Sequence, residues 1–164
     1  MSTLLSHSRT ALLTFTLLLG SVLSDSLLAN ATYSVADILA MEQAPTGVVF
    51  EVVASETDYL QTALDQFATY REQLTTRFPG IQLAIVSHGS EQFALMTANQ
   101  ASHHGIHGLV KRISASNVPV TICGNHAKLR GVAASDFPDY VVVANRGPTA
   151  IKAYQDQGYL LVLL

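Results

Sequence analysis

Cys123 is the only cysteine of the chain, and it stands in "VPVTICGNHAKLRGV" (118–132), at the end of an apolar run and just before a short helical segment. A thiol so placed lies near unpaired backbone N–H groups, which favour the thiolate, the nucleophilic form of cysteine. Lys128 and Arg130 follow within the helical segment and add positive potential. The same position also suits an inert cysteine, since free cysteine is among the most commonly buried residue types. The histidines offer a second chemistry. His103 and His107 are four apart and can share a helix face, and His88 with Cys123 would extend them into a nitrogen–sulfur set for zinc or copper. Gly105 and Gly108 weaken a regular helix through this cluster, and no H-E-x-x-H pattern accompanies it. His103 can equally cap the helix that follows.

The elements that must position these groups alternate regularly. "GVVFEVVAS" (47–55), "IQLAIVSHG" (81–89), "VPVTIC" (118–123), "YVVVAN" (140–145) and "YLLVLL" (159–164) are short apolar runs rich in β-branched residues and read as strands. Between the first two, Ser55 and Asp58 have capping-box spacing, and Leu60, Ala63, Leu64, Phe67, Leu74 and Phe78 recur at helical period until "FPG". Residues 91–116 have helical character interrupted by "ASHHG" (101–105). "HAKLRGVAA" is a short helix, and Pro148 opens another at its favoured first turn. Strands of this kind alternating with helices predict a three-layer α/β/α sandwich around a parallel five-stranded sheet.

In such sheets ligands bind beyond the carboxyl ends of the strands. That rule collects Ser87, His88 and Gly89, then Cys123, Gly124, Asn125 and His126, then Asn145, Arg146 and Gly147 at one rim, with His103, His104 and His107 expected around it. His88 or His126 would shuttle protons there if within hydrogen-bond reach. No phosphate-loop signature occurs, and Ser87 is outside any G-x-S-x-G elbow.

Composition narrows the partners. The formal net charge is −3 and no basic stripe occurs, so nucleic acid is not an expected partner. "MSTLLSHSRT", the uncharged apolar run "ALLTFTLLLGSVL" and the small residues Ala29 and Ala31 describe a secretory signal over 1–31, cleaved after Ala31. The apolar run is about 13 residues, short of the roughly 20 a spanning helix needs, so membrane contact is expected only through an uncleaved signal segment. A periplasmic or secreted location follows. The single cysteine excludes an intrachain disulfide, and in an oxidising compartment it implies a free thiol or pairing with another molecule. Residues 32–46 read as a loosely packed arm and 47–164 as one α/β domain, with no internal repeat.

"AIVSHGSEQFALM", "VPVTICGNHAKLRGV" and "GPTAIKAYQDQGY" before a final apolar strand together resemble the DsrE/DsrF-like sulfur-relay family, in particular its secreted single-domain branch. The resemblance covers nearly all of 47–164, and its most specific element is V-x-V-x-I-C followed by a short helix ending in "RGV". It implies a DsrE-like fold, a homo-oligomer (trimer or hexamer), and Cys123 as the carrier of a persulfide exchanged with a sulfur donor or acceptor protein. Gly89 and Gly131 match backbone positions of the family, and Arg130 matches the arginine of its "RG" pair. The histidine cluster lies outside the family's shared pattern. A sulfur carrier with sulfurtransferase-like activity is therefore one expected function. The alternative is a non-catalytic module that binds a metal or small ligand at the Cys/His rim, with Gly89, Gly124, Asn125 and Arg130 contributing. A purely structural role with Cys123 packed is the third possibility.

Overall fold

In the computed structural model, residues 31–164 are described. The expected signal segment, 1–31, falls outside the described residues except for Ala31. Five parallel strands form one sheet: β1 (Gly47–Val52), β2 (Gln82–Ser87), β3 (Val120–Cys123), β4 (Val142–Ala144) and β5 (Tyr159–Leu163), in the order β4-β3-β2-β1-β5. The helices are α1 (Val35–Leu39), α2 (Tyr59–Arg77), α3 (His104–Ala115), α4 (Gly124–Leu129) and α5 (Gly147–Gln155). The α/β class with a parallel five-stranded sheet is thus observed as expected.

Alternation along the strands divides the core. Val48, Phe50 and Val52 of β1, Leu83 and Ile85 of β2, and Val120 and Ile122 of β3 face the larger cluster, with Leu60, Leu64 and Phe67 of α2 and Val110 of α3. Val49, Ala84, Val86 and Leu161 face the other way, against Ile151 of α5. Both faces of the central strands are covered, which is why they read as continuous apolar runs. The covering is uneven: among the described residues α5 is the helix that serves the second face.

This topology places a switch point at Cys123. From β3 the chain enters α4, whose Ala127 joins the larger cluster, whereas from β4 it enters α5 on the opposite face. The carboxyl ends of β3 and β4 are therefore where neighbouring connections diverge, the usual position of a ligand crevice in open α/β sheets.

Three local expectations are corrected. Residues 32–46 are not a loose arm. Tyr33 N–H donates to Leu161 O at 2.8 Å beside β5, and α1 buries Val35 and Ile38. Arg77 then donates to Met41 O at 2.8 Å, so this segment is stitched into the domain. The capping box falls here, between Ser34 and Asp37, and not at Ser55/Asp58. Asp58 already has helical angles at the start of α2 and makes no side-chain cap. Finally, the first half of 91–116 is not α-helical but two 3-10 turns, Ser90–Leu95 and Thr97–Asn99.

Candidate functional site at the Cys123 rim

Cys123 ends β3 and is the N-cap residue of α4, with extended backbone angles. Its Sγ accepts the backbone N–H of His126 at 3.4 Å, so one orphan donor of the helix start is aimed at the sulfur. The residue is 6% exposed. Its backbone is held by a side chain that sequence reasoning did not single out. Gln92, fully buried in the 3-10 turn after β2, accepts Cys123 N–H on Oε1 at 2.8 Å and donates Nε2–H to Cys123 O at 3.3 Å. One amide thus satisfies both main-chain groups of the cysteine where the strand ends.

The turn that delivers Gln92 is built around a second buried polar residue, Glu91. Its Oε1 accepts from Ser87 Oγ at 2.7 Å and Gly89 N at 2.9 Å, and its Oε2 accepts from Ala54 N at 2.7 Å. Ser90 N–H adds a bond to Ala54 O at 2.6 Å. The carboxylate therefore ties the exits of β1 and β2 together and aims the following turn at β3. Gly89 is required by this closeness: a Cβ there would lie 2.2 Å from Glu91 Oε2 and 2.5 Å from Ala54 N. The sequence signal for both residues was the polar run "SHGSEQ" directly after an apolar strand.

Of the histidines expected at the rim, the structure brings His126 against Cys123 and His88 against His126. His126 donates ring Nδ1–H to His88 O at 3.0 Å and packs edge-on against Phe93, with ring centroids 5.2 Å apart. His88 follows the Ser87–Ile122 rung of the sheet, and its Nε2 meets Glu51 Oε1 at 2.6 Å. Gly124 is close to β4, where a Cβ would lie 2.9 Å from Ala144 O, and Asn125 N–H donates to Asn145 O at 2.9 Å. Arg130 is exposed with its guanidinium 5.9 Å from the Phe93 ring centroid, while Lys128 and Arg146 are exposed.

His103 and His107 are engaged elsewhere. His103 precedes α3 without a side-chain cap, its ring meeting Ser102 Oγ at 3.0 Å and Asp58 Oδ1 at 3.3 Å. His107 is buried and donates Nε2–H to Ala94 O at 3.0 Å, leaving Nδ1 to accept from Tyr140 O–H at 2.5 Å. Among the described residues no group of three or more His, Cys, Asp or Glu could hold a metal ion, so the zinc or copper reading gains no geometric support.

The His107–Tyr140 pair has a consequence for stability. Burial pushes the His107 imidazolium below the ordinary histidine range, and burial pushes the Tyr140 phenol up. Since the unfolded chain takes the proton more readily, the folded state is favoured fully above about pH 6.5 and loses that contribution as pH falls through the lower folded value. His107→Ala is expected to cost about 2 kcal/mol at neutral pH, by orphaning Tyr140 O–H and Ala94 O, and to flatten this acid limb. Urea unfolding between pH 7 and 5 measures both; an acid limb as steep in His107→Ala as in wild type would refute the assignment.

With the geometry in view, the fold places the chain in a class: a single-sheet α/β domain shared with solved structures. It resembles the protein of unknown function MTH1491 from Methanobacterium thermoautotrophicum, with TM-score 0.58, 17% identity, and coverage of 71% of this chain and 97% of that one. It also resembles the ychN protein of E. coli (TM-score 0.54, 16% identity, 72% and 99% covered) and protein of unknown function BT1422 from Bacteroides thetaiotaomicron (0.50, 14%, 71% and 94%). At these identities the likeness concerns the fold. No family model matches the chain, and no curated protein matches it.

Proposed function

We propose that the protein is an exported DsrE-like sulfur carrier with Cys123 as its persulfide site. The observation that carries the reading is the placement of Cys123: at the carboxyl end of β3, at the switch point, with its Sγ receiving an N–H from the start of α4. A thiolate there attacks the outer sulfur of a donor persulfide, R–S–SH. The donor S–S bond breaks as the new one forms, so Cys123–SH and R–S–SH become Cys123–S–SH and R–SH with no net oxidation. Passage to an acceptor thiol, R′–SH, repeats the exchange in reverse and regenerates Cys123–SH. Intact-mass measurement after incubation with glutathione persulfide should find one added sulfur atom per chain, discharged by a thiol acceptor and absent in Cys123→Ser. An unmodified wild type, or an equal adduct on Cys123→Ser, would sink the proposal.

The resemblance to this family also implies a homo-oligomer, a trimer or hexamer. The sparsely covered α5 face supports it: Val142 of β4 and Leu163 of β5, on the two edge strands of that face, are 51% and 55% exposed. Light scattering should find a multimer that Val142→Glu or Leu163→Glu shifts toward monomer. A monomeric wild type at micromolar concentration would contradict this.

A further inference from the structure

The rim carries another built pair of ionisable side chains. Glu51 lies in β1 between Phe50 and Val52, which face the larger core, so its own side chain is on the α5 face. Glu51 and His88 side chains are only 20% and 15% exposed, and their 2.6 Å contact joins β1 to the residue that follows β2. An ionised carboxylate only accepts hydrogen bonds, so Nε2 of His88 carries the proton and Nδ1 is the nitrogen that gains or loses one. Among the described residues Nδ1 has no hydrogen-bond partner, whereas Nε2 has Glu51.

The sheet brings this histidine and the thiol to the same rim. Ser87 pairs with Ile122, so His88 and Cys123 are the next residues along neighbouring chains at the carboxyl end of the sheet. His126 joins the two, its ring donating to His88 O and its backbone N–H to Cys123 Sγ. The start of α5 closes the other side: a Cβ on Gly147 would lie 2.4 Å from His88 Cβ and 3.2 Å from its Cδ2. The ionisable groups around His88 are Glu51 from β1, Cys123 from β3, His126 from α4, Arg146 beside the start of α5, and Glu91 from the turn after β2.

We propose that His88 is the general acid of sulfur transfer at Cys123 and that Glu51 is its positioning residue, a role that rests on the sulfur-carrier reading. When Cys123–S⁻ attacks the outer sulfur of R–S–SH, the donor S–S electron pair passes to the inner sulfur. The Nδ1 proton of His88 moves onto that sulfur as it leaves. Cys123–S⁻, R–S–SH and imidazolium thus become Cys123–S–SH, R–SH and neutral imidazole, and solvent reprotonates Nδ1. Glu51 stabilises the imidazolium and holds the ring so that Nδ1 is the exchanging nitrogen.

The test separates this role from the carrier function by using two probes of Cys123. Iodoacetamide expels iodide, which needs no proton, whereas hydroxyethyl disulfide expels an alkyl thiolate, which does. Alkylation at pH 7 should change far less than disulfide exchange in His88→Gln and Glu51→Gln. Disulfide exchange should slow about tenfold or more in His88→Gln and several-fold in Glu51→Gln. Exchange unchanged in His88→Gln, or alkylation falling in parallel with it, would overturn the general-acid role and leave the carrier reading intact. Failure of both probes on native wild type would overturn both. Because a variant may unfold, ¹⁵N shifts of the wild-type His88 ring give an independent check: a protonated Nε2 is expected at high pH, and a neutral ring protonated on Nδ1 would also overturn it.

Discussion

Gly89→Ala is expected to leave little folded protein at physiological temperature. The added methyl would sit 2.2 Å from Glu91 Oε2 and 2.5 Å from both Ala54 N and Ala54 O. The carboxylate end of Glu91 cannot swing aside, because it is held by Ser87, Gly89 and Ala54. Ala54 is backbone and cannot yield without opening the junction between the exits of β1 and β2. A loss of about 4 kcal/mol or more follows, a large share of the roughly 5–15 kcal/mol that holds an ordinary domain together. Glu91→Gln tests the same junction without added bulk. Its NH₂ must face either the Ala54 N–H or the Ser87 and Gly89 donors, which leaves buried donors unpaired at about 2–4 kcal/mol. Thermal melts and urea midpoints read both effects, and a midpoint within about 2 °C of wild type for either variant would show that the junction is not needed.

Gln92→Leu is the second large expected effect, because it keeps the volume of the side chain and removes the amide. Cys123 N–H and Cys123 O would then be buried without the partners they now have at 2.8 and 3.3 Å. The expected cost is about 3 kcal/mol, from two orphaned main-chain groups. Function should suffer separately from stability. With the end of β3 released, the His126 N–H is no longer held against Sγ, and thiol alkylation at pH 7 should change in rate even well below the melting midpoint. A Gln92→Leu protein with wild-type melting and wild-type alkylation would show the clamp to be incidental. Gln92→Glu offers a contrast: a carboxylate can still accept from Cys123 N–H, but its second oxygen would face Cys123 O in a fully buried site, so a loss at least as large as that of Gln92→Leu is expected at neutral pH.

Much of this arrangement was legible in the residues themselves. The five apolar runs gave the strands, and the carboxyl-end rule placed Cys123, His88 and His126 together without any contact being known. What stayed hidden has identifiable causes. Glu91 and Gln92 are polar residues whose burial is decided by donors from β1 and β3, distant in sequence, and nothing in "SHGSEQ" names those partners. The histidines divided because residues 90–99 form 3-10 turns and α3 begins only at His104. The i, i+4 spacing of His103 and His107 could not tell that the second would be pinned between Ala94 and Tyr140. The Ser55/Asp58 box failed where α2 starts later, at Tyr59, and Asp58 meets His103 instead.

The sheet order has one consequence for how the chain comes together. β1 pairs with β2, which follows it, but also with β5, the last strand, whose edge is in turn bridged by Thr32 and Tyr33. Leu164 N–H closes the arrangement on Glu51 O at 2.9 Å. The strand that carries Glu51 therefore cannot be completed until β5 is available, so loop-closure entropy is met early and repaid late. During synthesis the amino-terminal half would remain open to proteases and to other chains, and would consolidate only when the carboxyl-terminal strand docks.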